Sequence, residues 1–190
     1  MAKDGMDRRT KYTRMVLRES LMELLKEKPI GKISVKEICE GADVNRCTFY
    51  AHYSDPYDLL RQIEQEMLDD VNETIAHFSY LEDEPENFQV MCQVFEYIAE
   101  NSTVCRILLG SNGDIEFQKA VMMIAYRQYV EEWTAQKALD QETVEYLYLF
   151  AVNGGIGIIQ QWLKSGLNKP VREMAELLTK LANHGTHAFL

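Results

Sequence analysis

Residues 33–60 read Ile33-Ser-Val-Lys-Glu-Ile-Cys-Glu-Gly-Ala-Asp-Val-Asn-Arg-Cys-Thr-Phe-Tyr-Ala-His-Tyr-Ser-Asp-Pro-Tyr-Asp-Leu-Leu60, and this stretch decides the fold. Ser34 and Glu37 have capping-box spacing, in which each side chain bonds the other residue's backbone N–H. Ile33 before the cap and Ile38 inside the helix have the spacing of a hydrophobic staple. The same grammar repeats further on. Asn45 is a strong N-cap residue, and Val44 and Phe49 have staple spacing around it. Ala42-Asp43 falls between the two helices. A tight turn there wants a left-handed residue, usually Gly, and Asp tolerates that conformation. Asp55-Pro56 opens a third helix, with Asp as cap and Pro at the first helical position, where its missing N–H costs nothing. Two short helices joined by a tight turn are the geometry of a helix-turn-helix, whose second helix enters the DNA major groove.

The second helix is predicted over about Arg46 to Tyr53. Ile38, Ala42, Val44 and Phe49 hold it against its neighbours. Arg46, Cys47 and Tyr50 face outward near its N-terminal end, the end that reaches base edges in such helices. Arg46 is long enough to meet guanine O6 and N7 bidentately. Thr48, Tyr50, His52 and Tyr53 offer neutral donors of the kind that bind phosphate oxygens. The stretch also fits two ordinary helices with a polar connection, because helix-turn-helix geometry alone recurs in many proteins.

At these residues the chain resembles the TetR family of bacterial transcriptional regulators. The resemblance runs from Thr10 to about Leu60 and is most specific over Val44-Asn-Arg-Cys-Thr-Phe-Tyr-Ala-His-Tyr-Ser-Asp55. Further on, Phe95-Glu-Tyr-Ile-Ala-Glu-Asn101, Leu108-Leu-Gly-Ser-Asn-Gly-Asp114 and Gly154-Gly-Ile-Gly-Ile-Ile-Gln-Gln-Trp-Leu163 resemble one branch of that family common in Firmicutes. The resemblance implies an all-α protein. Residues 1–55 would form a three-helix DNA-binding domain, and residues 56–190 a helical effector-binding and dimerisation domain. It also implies base-reading positions at Lys36, Arg46, Cys47 and Tyr50, and phosphate-contacting positions at Thr48, Tyr50 and His52. Asn45 and Tyr53 complete the DNA-facing set. Asp43 stands where relatives usually have Gly, and Pro56 where many have a phosphate-contacting Lys.

The net charge of −10 is at first sight wrong for a DNA binder, but it is unevenly placed. Residues 1–55 carry 11 Lys/Arg against 9 Asp/Glu, and residues 56–190 carry 9 against 21. An acidic body repels DNA and leaves one docking face. Arg8, Arg9, Lys11, Arg14 and Arg18 cluster before and within the first helix. Such an arm can meet phosphates or a minor groove, or be a solvated disordered tail.

Four cysteines, at 39, 47, 92 and 105, have no C-x-x-C pattern and no metal-ligand spacing with histidine. No metal site and no cofactor are expected. No signal peptide is evident, so the expected compartment is the reducing cytoplasm, with free thiols. Cys47, expected on the exposed helix, is a candidate for redox sensing that needs nearby positive charge. Residues 146–163 carry no charge and mimic a membrane span. They also hold Asn153, Gln160, Gln161 and three glycines, which suits a buried or subunit-interface helix better.

Helical periodicity predicts a first helix over Thr10–Lys28, ended by Pro29 and Gly31, and a long helix over 56–79. Further helices are predicted near 87–100, 103–110, 115–136, 141–165 and 171–184, with Asp114 and Asp140 as caps and Pro170 marking a start. The last two are the natural homodimer surface, through Ala151, Gly154, Gly155 and Ile158 together with Leu177, Leu178 and Leu181. Met91, Phe95, Tyr126, Tyr129, Trp133 and Tyr148 can line an effector pocket or be ordinary core. The expected function is a dimeric regulator, a repressor released from a palindromic operator on double-stranded DNA by a small-molecule effector. The alternative is an activator or co-regulator acting by protein contact. An enzyme is disfavoured, because the sequence has no nucleophile elbow, phosphate loop or H-E-x-x-H motif.

Overall fold

A computed structural model describes residues 2–75, 85–110, 116–121, 123–124 and 140–186. Every regular element among them is helical: α1 Ala2–Glu27, α2 Val35–Gly41, α3 Arg46–Tyr50, α4 Pro56–Ile75, α5 Pro85–Glu100, α6 Ser102–Leu108, a stretch α7 over 116–121, α8 Gln141–Lys164 and α9 Val171–Thr186. A single 3-10 turn at Ile30–Lys32 follows α1. The chain forms two compact units, the first made by Met1–Met67 and the second beginning at Leu68, so the division falls inside α4.

The first unit is built on α1. Thr13, Leu17, Ser20, Leu21 and Leu25 recur at three- and four-residue steps and are all buried. Ile33, Ile38 of α2, Phe49 of α3, and Leu59, Leu60 and Ile63 of α4 are buried with it, and α2 packs on both α1 and α3. Leu17, Leu21, Ile38 and Phe49 have no exposed surface. Full burial of such side chains contributes about 1.5–3 kcal/mol each. Helix α1 starts eight residues earlier than its apolar periodicity predicts. Periodicity marks only the buried part of a helix.

In the second unit α5 packs on α9, α6 on α8, and α8 on α9. Phe95, Cys105, Leu108, Val144, Trp162, Leu163 and Ala175 form its interior. Asp140 caps α8, as expected, by accepting from the Thr143 N–H at 3.0 Å and its hydroxyl at 2.8 Å. At the other end Gly166, at φ 75°, and Leu167, at φ 59°, close a Schellman turn. The Leu167 N–H reaches the Trp162 carbonyl at 3.0 Å. The proposed Asp114 cap, and the greater part of the helix predicted over 115–136, lie outside the described residues. Among the described residues no helix is long and apolar enough to cross a membrane.

Candidate DNA-contacting face

The two short helices are set by their caps. Ser34 Oγ accepts from the Glu37 N–H, and Glu37 Oε2 accepts from the Ser34 N–H at 3.0 Å and its hydroxyl at 2.8 Å. Lys28 also donates to Glu37. The Lys28 hydrogen bond, then the bonds from Ser34, hold the Glu37 carboxyl down at about 2. Helix α2 ends in a Schellman turn. The Val44 N–H bonds the Cys39 carbonyl at 3.0 Å, with Asp43 left-handed at φ 52°. Asp thus performs the turn expected of Gly. Gly41 is needed for another reason: a Cβ there would collide with the Ser20 hydroxyl. That hydroxyl donates to the Ile38 carbonyl at 2.9 Å and ties α2 to α1.

Asn45 caps α3, its Oδ1 accepting from the Thr48 N–H at 2.8 Å and the Thr48 hydroxyl at 3.0 Å. The helix is shorter than predicted, ending at Tyr50 with residues 51–52 in a turn. Phe49 is its buried anchor. Tyr50 stands edge-on to the Phe49 ring at 5.6 Å and is 58% exposed. Lys36, Asn45, Arg46, Cys47 and Tyr50 are all exposed, and Thr48 and His52 are half-buried. Tyr53 is the exception in the expected set. It is only 4% exposed, and its hydroxyl accepts from Arg14 Nε at 3.3 Å. Because α3 stops three residues early, the chain turns there and carries the Tyr53 ring inward against Phe49.

Lys36, Cys39, Glu40, Asp43, Val44, Asn45 and Arg46 line an open concavity of about 410 Å³. Two cations and two carboxylates share it, and Lys36 Nζ lies 3.5 Å from Glu40. Sequence reasoning omitted Glu40 and Asp43 from this face, although their positions between the two helices already placed them beside it. Burial pushes the Cys39 thiol up, partly offset by the charge of Arg46. All four cysteines are free.

The basic arm divides in two. Arg8, Arg9 and Lys11 are exposed on α1. Arg14 and Arg18 instead bond Glu66 of α4, at 3.3 and 2.7 Å. The signal for this was available in the sequence. Arg14 and Arg18 each follow a residue of the buried stripe, Thr13 and Leu17, which puts them at its edge.

A model of the transcriptional regulator C-terminal region matches residues 86–184, more than half of the chain, and belongs to TetR proteins. The chain belongs to the TetR family of transcriptional regulators. It is a DNA-binding regulator of the helix-turn-helix type. It is similar to the uncharacterized HTH-type transcriptional regulator YxbF of Bacillus subtilis (strain 168), 30% identical over 67 residues. That match spans 35% of this chain and 18% of YxbF. Solved structures share the fold over nearly the whole chain. A TetR transcriptional regulator from Streptococcus agalactiae 2603V aligns with TM-score 0.66 at 17% identity, over 95% of this chain and 98% of that one. The transcriptional regulator FadR from Bacillus subtilis, in complex with stearoyl-CoA, aligns with TM-score 0.62 at 15% identity, over 90% and 98%. DhaS, a dihydroxyacetone kinase operon activator, aligns with TM-score 0.60 at 13% identity, over 93% and 97%.

Of the six residues expected around an effector in this TetR protein, the structure describes three. Phe95 is buried with its ring edge-on to Trp162 at 5.3 Å, Tyr148 is buried, and Met91 is half-buried. Tyr126, Tyr129 and Trp133 lie outside the described residues. Trp162, missing from the expected set, donates from Nε1 to the Lys169 carbonyl at 3.0 Å. The uncharged stretch of α8 is open along one side. Tyr146 is 65% exposed and Phe150 72% exposed. A Cβ at Gly154 or Gly157 would meet nothing within 4 Å. Gly155 faces the other way, towards Leu178 of α9 at 3.7 Å, so only part of the expected small-residue set shares the open side. Leu177 and Leu181 are exposed on α9.

Proposed function

We propose that this chain is a homodimeric repressor, acting in the cytoplasm, that holds a palindromic operator and is released by a small-molecule effector. The observation that carries the reading is the exposed polar end of α3. Arg46, Cys47 and Tyr50 project from a helix whose buried Phe49 and capped N-terminus fix it on the first unit. In this reading Lys36, Arg46, Cys47 and Tyr50 face base edges, and Thr48, Tyr50 and His52 face phosphates. Asn45 keeps its amide NH2 available beyond the cap. Tyr53 is withdrawn from the contact set because it is buried.

Pairing is supported by the open apolar side of α8 and by Leu177 and Leu181 of α9. A two-fold pair would present two recognition helices roughly 34–36 Å apart, one DNA turn. The aromatic interior of the second unit supports an apolar effector. Acyl-CoA thioesters are the first class to screen, because the FadR whose fold this chain shares is a stearoyl-CoA complex. Activation is the second reading, favoured by the shared fold of DhaS, an operon activator.

Selection of binding sites from random duplex DNA tests the proposal. The expected product is a palindrome with half-sites about 10–10.5 base pairs apart, or a multiple of that. Enrichment of no sequence, or of a single unrepeated site, would contradict it. In vitro transcription from the selected site then separates repression from activation, and addition of long-chain acyl-CoA tests release.

A further inference from the structure

We propose that Arg14 is a positioning residue for the recognition helix: braced by Gln62 and Glu66 of α4, it holds Tyr53 and so sets how α3 is presented to DNA. This rests on the reading that α3 meets DNA. The Arg14 guanidinium donates from Nε to the Tyr53 hydroxyl, and from Nη2 to Gln62 Oε1 and Glu66 Oε1, each at 3.3 Å. The other Glu66 oxygen accepts from Arg18 Nη1 at 2.7 Å, which fixes the carboxylate. Tyr53 is the third residue past the end of α3. Its ring lies 5.7 Å from that of Phe49, and its N–H bonds the Phe49 carbonyl at 2.9 Å.

A second route meets the same place from the backbone side. Gln62 Nε2 donates to Asp58 Oδ1 at 3.3 Å, and Asp58 Oδ2 accepts from the N–H of Ser54, next to Tyr53, at 2.8 Å. The chain leaving α3 is therefore held through a side chain and through the backbone, and both routes end on the same turns of α4. A planar guanidinium can bridge acceptors on two elements at once, whereas a single ammonium nitrogen cannot reach both with the same geometry. Arg14 and Glu66 are about half exposed, and ion pairs of that kind add little to global stability. Base contacts are less forgiving, since a binding constellation must be held within about 0.5 Å of its productive geometry. Loss of the brace should therefore cost specificity before it costs stability.

The test uses the full chain with two labelled duplexes, the site selected by the wild type and an unrelated sequence of equal length, titrated at several salt concentrations. Tyr53→Phe removes only the hydroxyl, Glu66→Gln removes the charge that holds both arginines, and Arg14→Gln and Arg14→Lys alter the bridge. Each should lower the preference for the selected site about tenfold. Melting temperature and the dependence of affinity on salt should stay as in the wild type. The Tyr53→Phe/Glu66→Gln double variant should lose less than the two single losses together, because both act through Arg14. If Arg14→Lys binds like the wild type while Arg14→Gln loses about one unit of salt slope, Arg14 is a phosphate contact and the proposal fails. Unchanged preference in Tyr53→Phe and Glu66→Gln also overturns it, whatever their melting temperatures. A wild type that prefers no sequence would sink the DNA reading and the brace together. A wild type that discriminates, with variants that do so equally well, would sink the brace alone.

Discussion

Among the described residues, the face around α3 and the side of α8 and α9 are both open, and they are open in opposite ways. Around α3 the exposed groups are polar or charged: Lys36, Asn45, Arg46 and Tyr50, with Glu40 and Asp43 beside them. Along α8 and α9 the exposed apolar side chains are Tyr146, Leu149, Phe150, Leu177 and Leu181; residues 146–163 of α8 carry no charge, and on α9 the exposed Glu176 and Lys180 pair with each other. The first kind of face gains by displacing counterions from a polyanion. The second gains by removing apolar area from water, and a patch of that kind marks an interaction site. On the proposed reading each face takes one kind of neighbour, DNA at α3 and a second copy of the chain at α8 and α9.

The largest expected effect comes from putting a charge on the apolar face. Phe150→Arg should raise the dimer dissociation constant by at least about 100-fold, as loss of a buried interface anchor does. Light scattering should give twice the 22.0 kDa chain mass for the wild type at micromolar concentration and less for the variant. A variant that still pairs like the wild type would move the interface off this face.

On the polar face, Arg46→Ala should lose about 1–3 kcal/mol of discrimination at one base pair per half-site. Competition with single-base variants of the selected site measures this. An equal loss against every variant would make Arg46 a phosphate contact and shift base reading to Lys36, Cys47 or Tyr50. A smaller change is expected from Arg8→Ala and Arg9→Ala. Each should reduce the slope of log affinity against log salt by about one if the side chain meets phosphate, and leave it unchanged if that end of α1 is only solvated.

The smallest effect concerns the cap of α2. Glu37 sits at about 2 in the folded chain against an ordinary 4.5, so its contribution is complete above 4.5 and is lost as pH falls through about 2. Glu37→Gln should melt below the wild type at neutral pH, and the gap should close between those two values. A gap independent of pH would mean that the carboxylate charge is not what stabilises the cap.

Local chemistry was legible in the sequence wherever one residue decides a backbone conformation. Ser34, Asn45 and Asp140 cap where their residue types say they should, and Asp43 takes the left-handed turn. Direction was legible only where a residue belongs to a periodic stripe. A helix running to residue 53 would place Tyr53 outside, and its true place follows from the turn after Tyr50. Charge alone groups Arg14 and Arg18 with a basic arm, because their partner Glu66 lies 52 and 48 residues away. Their place beside the buried stripe is legible in the sequence, but the identity of so distant a partner is not. The open side of α8 was half legible: the absence of charge marks an apolar face, but Gly155 faces Leu178 while Gly154 faces open space, and residue type and spacing do not separate the two.

The contrast between the two faces is tested most directly by one salt titration that follows both equilibria in the same samples. Operator affinity and dimer dissociation would be measured together from about 50 to 200 mM salt. Operator affinity should fall steeply, on the order of 10³-fold if about six phosphates are contacted. Dimer dissociation should stay within a few-fold of its starting value, because apolar burial is not screened. Dimer and operator affinities that decline in parallel, or an operator affinity indifferent to salt, would contradict the account.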